Sequence, residues 1–137
     1  MIEEAYVSFE VAKLLKEKGF DIPCDSYYDY FSSNVTMYQG YVPEFSGNCT
    51  NHNGRDNHDV YSRPTQQLAM RWLREEHNIH ISVYLFNREK SITKDSSYTC
   101  DIATEKMSSQ YGHLRGVWKT YEEACEAAIK YCLENLI

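Results

Sequence analysis

The stretch NCTNHNGRDNHD, residues 48–59, gathers one cysteine, two histidines and two aspartates. Zinc chemistry needs three or four N, S or O ligands converging at roughly 2.0–2.3 Å. Cys49, His52 and His58 stand in a C-x2-H-x5-H arrangement that matches no established zinc spacing. A fourth ligand would have to come from Asp56, Asp59 or Cys24. The asparagines between them suit turns rather than metal coordination. The stretch also lacks the periodicity of a helix or strand, so it reads first as a solvated loop, with Cys49, His52 and His58 as weak metal candidates.

A second constellation opens at Arg63. The segment RPTQQLAMRWLREEHN has an apolar stripe at Leu68, Ala69, Trp72 and Leu73, which predicts a helix. Pro64 fits its first turn and Thr65 can cap it. The opening turn of a helix points unpaired backbone N–H groups outward and favours anions. Arg63, Thr65 and Gln66 add a guanidinium, a hydroxyl and an amide there. Arg71 and Arg74 follow on the polar side. Tyr84, on the next strand, projects opposite the core set. Together these six residues could hold a phosphate while a base stacks on the ring. The plain alternative is a capping threonine with surface arginines.

Enzyme chemistry finds little support. No G-x-S-x-G elbow, P-loop or H-E-x-x-H is present. Glu75–Glu76 and Glu122–Glu123 are sequence neighbours on helices, so neither pair faces across a reacting bond. No catalytic residue and no cofactor is expected.

The elements that must position these groups are legible in outline. SFEVAKLLKEKGF predicts a helix capped by Ser8, with Gly19 in a left-handed terminating position and Phe20 closing the end. YYDYF and VTMYQGYV, separated by SSN, predict a hairpin. Residues 43–63 have loop composition. IHISVYLF alternates Ile79, Ile81, Val83 and Leu85 with His80, Ser82, Tyr84 and Phe86, the pattern of a strand. SYTCDIAT predicts its antiparallel partner, and LRGVW a short third strand. Thr120 and Glu123 form a capping box for the closing helix. The expected fold is α+β: three helices packed on a small antiparallel sheet, a single domain over 1–137, with a long loop around 43–63.

With 137 residues, one domain is the default and one core can be buried without staples. The net charge of −6 argues against a general nucleic-acid or membrane-surface binder. MIEEAYVSFE has no apolar run, so a cytoplasmic location is expected. Five cysteines, odd in number and without C-x-x-C spacing, are expected as free thiols. Cys125 and Cys132 share one face of the closing helix as small hydrophobes. Twelve tyrosines suit either a half-buried sheet face or a recognition surface.

PTQQLAMRWLREEHNIHI resembles a segment of small proteins encoded by tailed phages and gut-bacterial mobile elements. The shared positions are Pro64, Thr65, Gln66, Trp72, Leu73, Arg74, Glu75, His77 and Ile79. TYEEACEAAIKYCLENLI resembles their closing helix, and SFEVAKLLKEKGF the opening helix of a subset. The resemblance covers roughly a third of the chain, and residues 24–63 lie outside it. By analogy with phage proteins of this size, it implies a non-enzymatic binder that opposes host defence by sequestering a small cyclic-nucleotide signal, as a homo-oligomer. The expected partner is thus a small anionic ligand. The alternative is a protein partner: an interaction module, such as an inhibitor or virion accessory protein, using the tyrosine-rich half. An arginine-and-aromatic pocket would favour the first, and an exposed tyrosine patch the second.

Overall fold

The computed structural model describes residues 2–31, 34–39, 50–54, 59–86, 96–106 and 114–137. The fold is α+β, with three helices and antiparallel strands among the described residues. Those strands form two sheets rather than one, and the chain divides into two compact units, Met1–Leu68 and Ala69–Ile137.

In the first unit, α1 spans Phe9–Glu17. Ser8 caps it as expected, its Oγ accepting the Val11 N–H at 3.2 Å. Gly19 terminates it at φ 88°, a backbone state that glycine adopts without a Cβ penalty. Val11, Ala12 and Leu15 form the buried stripe, and Phe20 is buried behind them. Strands β1 (Ser26–Phe31) and β2 (Asn34–Gln39) make the expected hairpin, paired from Ser26↔Gln39 to Phe31↔Asn34.

A third strand, β3 (Val60–Ser62), pairs with the other side of β1, giving the order β2-β1-β3. This corrects only the end of the expected loop around 43–63, of which residues 43–49 and 55–58 lie outside the described residues. Within it a short 3-10 turn also forms at His52–Gly54, and Thr50 bridges to Cys24. The local sequence has no strand period, but the open side of β1 supplies the pairing partner. Helix α1 packs on β3. Lys16 Nζ donates to the Val60 carbonyl at 2.8 Å and lies 4.8 Å from the Tyr61 ring centre. Phe9 sits among Tyr28, Tyr30 and Tyr61, with ring centres 5.4–5.9 Å away.

Helix α2 spans Gln66–His77; its opening turn is counted with the first unit and the remainder with the second. Asn78 ends it at φ 51°, a left-handed terminating residue, and the Ile79 N–H returns to the Leu73 carbonyl at 3.0 Å. Strands β4 (His80–Phe86) and β5 (Ser97–Ala103) pair antiparallel from His80↔Ala103 to Phe86↔Ser97. Helix α3 (Tyr121–Asn135) starts with Thr120 Oγ1 accepting the Glu123 N–H at 3.1 Å. It packs on the β4–β5 sheet, burying Ala124, Cys125, Ala128, Ile129, Cys132 and Leu133. The third strand expected at LRGVW reduces to one bridge, Trp118↔Tyr98, with mutual backbone bonds of 2.7 and 2.8 Å.

Candidate functional site

The expected anion site at the start of α2 is occupied by the chain itself. The N-terminal segment runs alongside this helix start, with Tyr6 bridged to Thr65. The Gln66 N–H donates to the Ala5 carbonyl at 2.8 Å. Thr65 Oγ1 accepts the Leu68 N–H at 3.1 Å, an ordinary N-cap bond. Gln66 itself is buried. Two of the N–H groups that an anion would need are therefore already used.

Arg63 points into its own unit. Its guanidinium lies 4.1 Å from the Tyr6 ring centre and 5.5 Å from that of Tyr28. Nη1 donates to Ser26 Oγ at 3.1 Å, and the Arg63 backbone N–H donates to the Ser26 carbonyl at 2.9 Å. Ser26 is fully buried and donates in turn to the Tyr38 carbonyl at 3.0 Å. The arginine thus cross-links the N-terminal segment, β1 and the entry to α2. This role was invisible in the sequence, because the groups that fix it lie far along the chain.

In the second unit, Arg71 pairs with Glu75 at 2.9 Å, both well exposed. Arg74 is exposed, and Tyr84 is 45% exposed on the outer face of β4. None of the three lines a cavity of ≈ 720 Å³ in this unit. That cavity is walled instead by Glu76, Asn78, Glu105, Lys106 and Asn135 among others. The described lining of that cavity contains no arginine.

Of the weak metal candidates, Cys49 and His58 lie outside the described residues. His52 is buried, with Nε2 at 3.1 Å from the Cys24 carbonyl and its ring centre 4.6 Å from that of Tyr27. Its backbone N–H donates to Ser62 Oγ at 3.0 Å. These contacts hold it as a brace between the 3-10 turn and β1. Among the described residues no three His, Cys, Asp or Glu side chains converge on a metal position.

Cys24, Cys100, Cys125 and Cys132 are free and buried. Burial pushes the Cys100 and Cys125 thiols up to about 11 and Cys132 up to about 12. A nucleophile must be a thiolate, so these side chains are packing groups at neutral pH.

The feature with surface chemistry is the β1–β2 hairpin. Phe31 is 76% exposed and Met37 61%. Tyr30, Val35 and Tyr38 are also exposed. The register puts Tyr28 beside Met37 and Tyr30 beside Val35 on the α1-facing side. Phe9 of α1 covers the β1 half of that side, while the β2 half stays open. The opposite side carries Tyr27 stacked on Tyr38 at 5.1 Å, Asp29 beside Thr36, and Phe31 beside Asn34.

Compared with family models, curated proteins and solved structures, the chain matches none of them. Among the described residues no helix is long and apolar enough to cross a membrane.

Proposed function

We propose that the chain is a non-enzymatic protein-interaction module that docks its partner on the β1–β2 hairpin. The observation that carries this reading is the exposure of Tyr30, Val35 and Met37 side by side on one face of the hairpin, with Phe31 and Tyr38 exposed on the other face. Scattered exposed apolar residues are ordinary, but adjoining ones with aromatic and methionine character are typical of recognition surfaces. Such side chains bury large area at modest entropy cost. The rival reading, sequestration of a small nucleotide, rests on Arg74 and Tyr84, both exposed. It loses support from Arg63, Thr65 and Gln66, which the chain uses internally.

The test compares the parent chain with a Phe31→Ser, Met37→Ser double variant that melts at the same temperature. Each is used for cross-linked capture, followed by reconstitution with the purified partner. Loss of each central anchor should weaken the complex about tenfold. Equal affinity of parent and variant would sink the reading. So would a cyclic dinucleotide that binds tightly to both chains where no protein partner does.

A further inference from the structure

Strand β2 lies at the edge of its sheet, and among the described residues β1 is its only strand partner. An edge strand presents a row of backbone N–H and C=O groups to its surroundings. Soluble proteins normally blunt such edges with charge, proline or a covering element. Asn34–Gln39, NVTMYQ, contains no Lys, Arg, Asp, Glu or Pro. The side chains of Asn34 through Tyr38 are all exposed. A six-residue edge of this kind is long enough to receive another strand.

The two faces of β2 differ in chemistry. One presents Val35 and Met37, apolar and open. The other presents Thr36 beside Asp29, the one carboxylate of the β1–β2 pair. Along β1, Asp29 is flanked on its own face by Tyr27 and the highly exposed Phe31. A carboxylate between aromatic rings recognises a cation, by charge and by the ring faces.

We infer that β2 accepts an extended segment of a partner protein as a fourth strand, and that this segment alternates Lys or Arg with apolar residues. The inference rests on the docking function proposed above and specifies its partner. In the extended ladder, the residue opposite Thr36 lies two strand spacings, roughly 9.5 Å, from Asp29. Among the described residues, the register sets the short Thr36 side chain between them on that face. A lysine or arginine reaches across it, whereas a shorter side chain does not. Its neighbours along the strand turn to the other face, where they cover Val35 and Met37.

Charge decides between this occupant and a second copy of the chain. Residues 1–68 contain ten Asp and Glu against five Lys and Arg. A second copy would bring like charge to like charge, and its own β2 has no cation to offer Asp29. A basic strand gains on both counts.

The test uses fluorescence anisotropy with the full chain and three labelled nine-residue peptides. The first alternates Lys and Val; the second replaces each Lys by Glu. The third is the Lys–Val peptide with consecutive central backbone nitrogens methylated, which removes ladder donors from both of its edges. The Lys–Val peptide should bind, more weakly as salt rises. The methylated and Glu peptides should bind at least tenfold more weakly. Asp29→Asn and the edge variant Thr36→Lys, each checked for parental melting, should lose affinity by a similar factor. The peptide-side changes keep the test decisive even where a variant folds poorly. Equal binding of the methylated peptide would overturn strand addition, and equal binding of the Glu peptide would overturn the charge argument. If no peptide binds but a protein partner is still captured through Phe31 and Met37, strand addition fails while the docking function stands. Concentration-dependent dimers abolished by Thr36→Lys would make the occupant a second copy and overturn the proposal.

Discussion

Replacing Arg63 by alanine should destabilise the protein, although the sequence reads Arg63 as a ligand cation. Two favourable contacts are lost. A hydrogen bond from a charged donor to buried Ser26 Oγ contributes about 1.5–3 kcal/mol. Stacking on Tyr6 at 4.1 Å, with Tyr28 beyond at 5.5 Å, adds about 1–2 kcal/mol in a partly desolvated setting. One cost is relieved, because Arg63 Nε is buried without a hydrogen-bond partner among the described residues. An unsatisfied buried donor costs about 1–3 kcal/mol. Ser26 Oγ keeps its bond to the Tyr38 carbonyl, so truncation strands no second group. The net loss is about 2 kcal/mol, and at this chain length a melting temperature lower by roughly 8 °C. Arg63→Lys keeps a cation over the rings but not the planar fork, and should fall between parent and alanine. Circular dichroism melts of the three proteins, with exposed Arg71→Ala as control, measure this. If Arg63→Ala melts within about 1 °C of the parent, the guanidinium carries no structural load and its assignment to a ligand returns.

The three helices were legible because their signals are local. Ser8, Gly19, Thr120 with Glu123, and Asn78 each act within a few residues of the backbone groups they satisfy or terminate. The alternation from Ile79 to Phe86 likewise gave β4 in the right phase, with Tyr84 and Phe86 outward. Features fixed by distant partners were not legible. Val60–Ser62 is too short to show a period, and becomes a strand because β1 leaves one side open. The helix start at Gln66 looked vacant because Ala5, whose carbonyl closes it, lies far back in the chain. The internal contacts of Arg63 were hidden for the same reason, its partners being Tyr6 and Ser26. The hairpin surface was half legible. Its tyrosines fitted a buried sheet or a recognition face equally, and only the limited reach of Phe9 across β1 leaves the β2 half open.

Trp72, 4% exposed with its ring edge-on to His77, should cost about 3–5 kcal/mol when replaced by alanine. Exposed Arg74→Ala should change stability by less than about 0.5 kcal/mol; urea melts of both variants check this, and comparable losses would contradict the burial pattern. A Cβ on Gly116 would meet the Trp118 ring at 2.7 Å, so Gly116→Ala should displace that ring at a cost of about 1–2 kcal/mol. Unchanged tryptophan fluorescence together with unchanged melting would show that the ring has room. Alkaline pH should weaken the second unit through its thiols. Cys100, Cys125 and Cys132 lose their protons near 9.0 in the unfolded chain but only at about 11, 11 and 12 when folded. Between those values the folded chain holds more protons, so stability is full below pH 9 and falls as pH rises toward the folded values. Urea melts at about pH 8 and about pH 10.5 should show the decline. Cys132→Ala should start lower, through lost packing, yet decline less steeply, because the group that burial shifts furthest has gone. An identical slope in parent and variant would mean that the buried Cys132 thiol does not drive the alkaline loss.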